Sequence, residues 1–533
     1  MIVFLKPLIP ISPKKKILAV FLCFFLIFFA IQYFHQGFFC PDSYYHIKRA
    51  YLLRTEGFLG SLPWMQFTTV REKSMDIALL FWILLAPFTF GNLILGAKIA
   101  AALFAGFFFA LFYWLLVKWK IKRARLWLSA LFLCAPSFLV LLSVTRPHIL
   151  AVSLVFSTIY FAAERKYLYL FVLGVFYTLA YEVFFIFLII ALCFLASEWV
   201  LFRKINGRLI LASAGGVFWG LLLHPDSWHY LFYHVGVVLF YIPYYRFSGK
   251  LSMGAGLYNT PDRALLSAMP LFLILIFSGY ILVIERKRFR SLAKLEKITV
   301  LSLGLLVLFF LAITLVSNMF IYYLAPAAIL FSALVCKHFF NYQYFSPLIQ
   351  SIKRDLKFKL SIILLLGVWI FLLGKTLTQN ILTQDRFFHY QGGASWLAQN
   401  TPKQSIVFQS NWDSFPALFF YNSRNYYILG LDPSFMYQYD KDLFWQWHNL
   451  TNCGMVTTNP KVCDVLLKSN DDFEKFQSLT ATGDIYNLIK NDLQAQYIFV
   501  DKKYTYFLEC LKKDRELFQE KYADDFVVIY QLK

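Results

Sequence analysis

The chain has 533 residues, 59% of them hydrophobic and only 15% charged, and Phe alone contributes 60. So few charges cannot cover that much apolar surface in water, which excludes a soluble globular enzyme, and repeated apolar runs of about 20 residues match the length of a bilayer crossing. The formal charge of +21 would suit a nucleic-acid partner, but the basic residues fall in short clusters between apolar runs. Lys and Arg in such clusters mark cytoplasmic loops, so no nucleic-acid partner is expected.

The first apolar run, from Ile17 to Phe34, follows Lys14 to Lys16. It is too long for a signal peptide and lacks a small-residue cleavage site, which predicts an uncleaved helix with its N-terminus in the cytoplasm. Residues 36–75 then form a first outer loop. Lys118 to Arg125 is a basic cluster, so the stretch 76–117 must return with an odd number of crossings. One spanning helix from about Leu93 to Val117 meets that requirement, with Met75 to Pro87 lying in the interface or re-entering.

The remaining clusters keep the parity. Residues 125–143 go out and 146–163 return to Glu164-Arg165-Lys166; 167–183 go out and 184–202 return to Arg203 to Arg208. Residues 208–224 go out to a second outer loop over 224–263, and 264–284 return to Glu285 to Arg290. Residues 297–316, 318–336 and 358–375 complete the set. The expectation is about eleven spans, within a range of 11–13 transmembrane helices.

From about Thr376 the long apolar runs stop and short β-like runs begin: SIVFQ, NYYIL, AQYIFV and DFVVIYQL. Helical stretches such as SFPALFFYN and YTYFLECLKKDRELFQ lie between them. Strands alternating with helices predict an α/β domain. The predicted organisation is a transmembrane domain over 1–375 and an extracytoplasmic α/β domain over 376–533. There, Cys453 and Cys463 could form a disulfide; the eight cysteines contain no CxxC pair, which argues against zinc.

On this topology several polar groups fall at one membrane face. Asp42, Tyr44, Tyr45 and His46 follow the first helix in CPDSYYHIKRA, and Asp76 ends the first outer loop. Thr145, Arg146 and His148 occupy the turn of SVTRPHIL, and Glu182 the turn of LAYEVFF. His224, Asp226 and His229 open the second loop, and Trp412 and Asp413 lie in SNWDSFP. Carboxylates near hydrocarbon are costly and tend to be paired or functional. Taken singly, Asp42 reads equally as a solvated loop residue or helix cap, Arg146 as an interfacial anchor, and Trp412 as packing. Oxygen ligands from several loops could hold Mg2+ or Mn2+, and the planar fork of Arg146 could bind a phosphate.

Together these segments resemble the GT-C superfamily of membrane glycosyltransferases, and most of all the catalytic subunit of oligosaccharyltransferase. PDSYYHIKRA is similar to that family's D-x-Y-Y-H-like element in the first outer loop, and SNWDSFPALFFYN to its W-W-D-Y-G motif. Asn411 stands in place of the first Trp, and Ser414-Phe415 in place of Tyr-Gly. The family's second outer loop carries a further acidic pair, whereas SVTRPHIL has no acid.

The resemblance implies transfer of a sugar or oligosaccharide from a polyprenyl-(pyro)phosphate carrier to a protein or glycan acceptor on the outer face of the cell membrane, with membrane lipids as surroundings. It implies Asp42 and Glu182 as catalytic acids, and Asp42 with Asp76 as candidate ligands of Mg2+ or Mn2+. Arg146, His148, Tyr45 and His46 would line the carrier site, and Trp412 and Asp413 the acceptor site. A silent glycolipid-binding relative and a lipid or solute transporter are the competing classes. Transporters often show two related halves, and none is seen in this sequence.

Overall fold

The computed structural model describes residues 12–33, 35–72, 77–248, 251, 262–340, 346, 355–382, 385–466 and 481–533. Asp76 and most of the expected second outer loop beyond residue 248 lie outside these residues. The principal helices are α1 (Pro13–Tyr33), α2 (Pro41–Glu56), α3 (Leu79–Leu85), α4 (Leu93–Lys118), α5 (Ala124–Leu133) and α6 (Pro136–Leu142). Next come α7 (His148–Ala163), α8 (Tyr167–Ala180), α9 (Phe185–Phe202), α10 (Gly207–Leu223), α11 (Met269–Ile284), α12 (Lys294–Val316), α13 (Ile321–Phe339) and α14 (Leu356–Leu382). These ranges follow the apolar runs of the sequence closely.

Among the described residues, five helices are long and apolar enough to cross a membrane, or six if α5 and α6 count as one span. Shorter apolar helices of 10–17 residues, α7, α8, α10 and α11 among them, complete the bundle. The crossing expected over 125–143 is broken: α5 and α6 meet at 88°. Pro136 is the physical reason, since it cannot donate the next helical hydrogen bond and begins α6 instead. The first outer segment is not simply a loop either, because Pro41 opens α2 there.

Close packing builds the bundle. Phe24 of α1 stacks on Phe109 of α4 at 3.9 Å. A Cβ added to Gly174 of α8 would lie 3.0 Å from the Cα of Gly216 in α10, so small residues let these two backbones approach, as between membrane helices generally.

After α14 the chain forms a five-stranded sheet: β1 (Ile406–Gln409), β2 (Tyr426–Tyr427), β3 (Tyr497–Asp501), β4 (Phe518–Ala523) and β5 (Val527–Leu532), in spatial order β2-β1-β3-β5-β4. β1 runs parallel to β2 and β3, while β5 is antiparallel to β3 and β4. The helix expected through YTYFLECLKKDRELFQ stops at Lys512, and β4 follows. Asp514 turns the chain there, its carboxylate accepting the amides of Glu516 and Leu517. Cys453 and Cys463 form a disulfide.

The sheet is not separate from the membrane portion. The first outer segment joins it beside β2: Gln66 donates to the Tyr427 carbonyl at 2.8 Å, Phe67 to Ile428 at 2.9 Å, and Tyr427 to Trp64 at 2.8 Å. Helix α15 (Phe415–Tyr421), which follows β1, packs on α2, with Phe420 against Tyr44 at 5.2 Å and Phe419 against Tyr45 at 6.1 Å.

Candidate active site

Asp42 lies in the first turn of α2, one residue after Pro41. It does not cap that helix; Cys40 holds the cap position. Its carboxylate instead meets the Arg146 guanidinium at 3.1 Å. Two hydrogen bonds bring the α6–α7 turn to this point. The Thr145 amide donates to Ser43 Oγ at 3.1 Å, and the Thr145 hydroxyl to the Ala97 carbonyl of α4 at 3.0 Å. The side chains of Arg146 and Asp42 remain 31% and 35% exposed, so a ligand can reach both.

Glu182 sits in the turn between α8 and α9. Burial pushes its carboxyl up, Arg146 pulls it down, and the Asp42 and Asp432 carboxylates push it up again, for a result of about 7. Burial lowers the affinity of Arg146 for its proton, but Asp42, Cys40, Tyr181 and Tyr322 together more than offset this, so the guanidinium stays charged.

Tyrosine hydroxyls wall the site. Tyr181 pairs with Tyr322 at 3.0 Å, and Tyr177, one turn deeper, with Tyr323 at 2.8 Å. The His148 ring lies 5.0 Å from Tyr322, and its Nε2–H donates to the Leu141 carbonyl at 2.6 Å. At 1.5 Å per residue, α7 and α8 rise only about 24 and 21 Å, short of the ~30 Å hydrocarbon core.

Other expected residues are packed rather than open. His46 Nδ1 accepts the Trp82 indole N–H at 3.0 Å. Burial, then Arg146 and Arg49, push its pKa well below the ordinary range, so it is a neutral ring. Tyr45 is buried between His46, Trp82 and Phe419. Trp412 and Asp413 form a short 3-10 turn between β1 and α15. Trp412 packs against the core of the sheet, and the Asp413 amide donates to Asn411 Oδ1 at 3.2 Å. The helix that follows them, α15, packs on α2.

Three residues escaped the sequence reading: Tyr181, Tyr322 and Asp432. Asp432 follows β2, accepts the Ser434 amide at 2.8 Å and caps α16 (Pro433–Tyr439). The Asp-Pro pair after a strand was the available signal, being a helix start.

Among the described residues, no three His, Cys, Asp or Glu side chains come together to hold a metal ion, and Arg146 already engages the Asp42 carboxylate. Asp76, the second expected metal ligand, lies outside the described residues, and no step proposed for this site passes through a metal ion.

The helical bundle, the α2 segment beside it and the trailing sheet define a multi-pass membrane protein with the GT-C fold. No protein-family model matches the chain, and no curated protein matches it in sequence. Solved structures do. The chain is similar over 98% of its length, and 75% of the other's, to the Archaeoglobus fulgidus oligosaccharyltransferase in apo form, at 12% identity and a TM-score of 0.58. Archaeal AglB from the same organism, in complex with an inhibitory peptide and a dolichol-phosphate, matches over the same shares at 13% and 0.58. ArnT from Cupriavidus metallidurans bound to undecaprenyl phosphate matches over 97% of this chain and 98% of its own, at 13% and 0.51.

Proposed function

We propose that this protein is a glycosyltransferase that moves a sugar or oligosaccharide from a polyprenyl-phosphate-type carrier to an acceptor on the extracytoplasmic face. The observation that carries this reading is the partly exposed Asp42–Arg146 pair, within electrostatic reach of Glu182, in a fold whose solved examples hold dolichol-phosphate and undecaprenyl phosphate.

The chemistry follows from charge. A carrier phosphate reaching the site meets Arg146, whose planar fork suits phosphate oxygens. As Arg146 turns to the phosphate, the Asp42 carboxylate is released to accept a proton. The acceptor lone pair bonds to the anomeric carbon, and the carbon–oxygen bond to the phosphate breaks with its electrons on the phosphate. The acceptor proton passes to Asp42 or Glu182. Stabilisation of the leaving phosphate by Arg146 lowers the barrier most.

The test is transfer of labelled sugar from a polyprenyl-linked pool by the purified protein, beside binding of undecaprenyl phosphate, for wild type and Asp42→Asn. Proton transfer by a placed side chain contributes about 10²–10⁴-fold, so transfer falls by that order in the variant while carrier binding persists. Carrier binding without turnover in the wild type would instead support the silent relative, and flux of carrier across vesicles without transfer would support transport. The same assay in chelator, with and without added Mn2+, tests the metal expectation: turnover lost in chelator and restored by Mn2+ would give Asp42 a ligand role, and unchanged turnover would leave it the proton acceptor alone.

A further inference from the structure

The geometry points to a saccharide-binding pocket in the sheet domain, suited to a neutral or amino sugar and hostile to an anionic one. Its part in catalysis rests on the transferase reading above.

The pocket has a volume of about 430 Å3, within the range of small-ligand sites. The turn between β4 and β5 lines part of it. Asp524 fixes that turn: one carboxylate oxygen accepts the amides of Phe526 and Val527 at 2.8 Å, and the other accepts the Tyr522 hydroxyl at 2.8 Å. The Lys502 amide, just past β3, donates to the Phe526 carbonyl at 2.8 Å. These bonds account for Asp524 but not for its neighbours. Asp525 and Phe526 are exposed, Phe526 at 43%, and a turn in water ordinarily carries small polar residues. Phe526 stacks on His389 at 3.7 Å, the ring planes 13° apart. Gln391 and Ser395 bring an amide and a hydroxyl from the helix Gln391–Asn400. A Cβ on Gly392 would stand 2.5 Å from the Tyr522 hydroxyl, so glycine is what lets this helix approach β4.

That set suits a sugar. The C–H bonds on one face of a pyranose carry slight positive charge and settle on an aromatic face, which is negative. Sugar hydroxyls donate to carboxylates, and an amide both donates and accepts. The described residues lining the pocket include two carboxylates and no Lys or Arg, so a phosphate or a uronate is repelled. The pocket adjoins the first outer segment. Its Phe388 lies 3.2 Å from where a Cβ on Gly37 would stand, and Gly37 lies against the Tyr44 hydroxyl of α2, two residues past Asp42. The Phe38 amide donates to that hydroxyl at 3.3 Å. The pocket thus rests on the segment that leads into Asp42, a place for a sugar unit beyond the reacting one, whether of donor or of acceptor.

The experiment titrates the full-length purified protein with N,N′-diacetylchitobiose, its fully deacetylated form and a glucuronic-acid disaccharide, with melting temperatures measured alongside. The first two bind, and the glucuronide binds about tenfold more weakly because like charges meet. Asp525→Asn weakens diacetylchitobiose about tenfold, the loss of one hydrogen bond to a charged group, yet strengthens the glucuronide by relieving repulsion. Phe526→Ala weakens the two sugars that bind wild type, and melting temperatures hold in both variants. Transfer assays on Asp525→Asn separate the sources. A raised KM for a polyprenyl-linked disaccharide but not a monosaccharide assigns the pocket to the donor, and a raised KM for a glycan acceptor assigns it to the acceptor. Unchanged KM for both overturns its part in catalysis. A wild type that binds no probe, or binds the glucuronide as well as diacetylchitobiose, overturns the pocket, as do losses that track melting temperature. Saccharide binding without any sugar transfer leaves the pocket standing and overturns the transferase reading.

Discussion

Arg165–Glu198 and Asp42–Arg146 both tie helices together in this protein, and they are built differently. Arg165 meets Glu198 at 2.7 Å, and Lys294 adds a second cation at 3.9 Å; Glu198 is only 7% exposed. This cluster joins the α7–α8 turn to α9 and the start of α12, and its single carboxylate is answered twice. Asp42–Arg146 is longer, at 3.1 Å, with both partners about a third exposed. Near it stands Glu182, a carboxyl whose proton affinity is displaced upward by burial. A closed, over-compensated pair is a clasp between helices. An open pair with a further carboxyl acting on the same cation is poised to exchange partners, which is what an incoming phosphate requires.

The sharpest way to break this contrast is to remove each arginine. In Arg146→Ala, sugar transfer falls by about 10²–10³, the effect of deleting one stabilising donor at a developing anion, and undecaprenyl phosphate binding weakens; the melting temperature changes little, because exposed partners rehydrate. In Arg165→Ala the order reverses. Glu198 is left buried beside a distant lysine, at a cost of about 3 kcal/mol, while transfer per folded molecule stays within about twofold of wild type. Thermal melts and initial rates on both variants decide it. If Arg165→Ala loses turnover as Arg146→Ala does, the contrast fails.

A smaller effect comes from Glu182 and carries a definite sign. Its folded proton affinity is raised, to about 7 from an ordinary 4.5, chiefly by burial. A raised carboxyl costs nothing below its unfolded value, and the cost grows as pH rises towards the folded one. The native state therefore loses stability between about pH 4.5 and 7. The full shift corresponds to about 3 kcal/mol, and to less where water reaches this partly buried group. Glu182→Gln removes the loss, so the variant melts higher than wild type at pH 8 and the gap closes at pH 5. A gap of equal size at both pH values would show that Glu182 is not held in this state.

Much of this was legible in the sequence, and the gaps have physical causes. Helices such as α9 and α12 coincide with apolar runs because hydrocarbon demands them, and IVFQ became β1 because its residues suit a buried strand. Helix α2 read as loop because its apolar content is low: Arg49 and His46 are buried by tertiary contacts, not by periodicity. The Asp42–Arg146 pair was invisible as a contact, although the charge parity of the loops correctly suggested that both belong to one face. Asp432 lay outside that logic. Its turn is fixed by the pairing of the first outer segment beside β2 and by the packing of α15 on α2, and no local pattern encodes either event.

The smallest predicted effect separates depth from chemistry. Tyr177–Tyr323 and Tyr181–Tyr322 are two hydroxyl pairs, four residues apart at the end of α8 and on consecutive residues of α13. Each such bond contributes about 1 kcal/mol, so Tyr177→Phe and Tyr322→Phe destabilise the fold by similar amounts. Their effects on ligand binding differ, because Tyr181 and Tyr322 act electrostatically on Arg146 while Tyr177 acts on its neighbouring tyrosines. Freeing Tyr181 from its partner loosens the wall beside the guanidinium, and undecaprenyl phosphate affinity drops about two- to fivefold in Tyr322→Phe. In Tyr177→Phe it stays at the wild-type value. Matched titrations of the two variants measure this directly. Equal losses in both would mean that the tyrosine ladder only packs the bundle and that positioning of Arg146 depends on Asp42 alone.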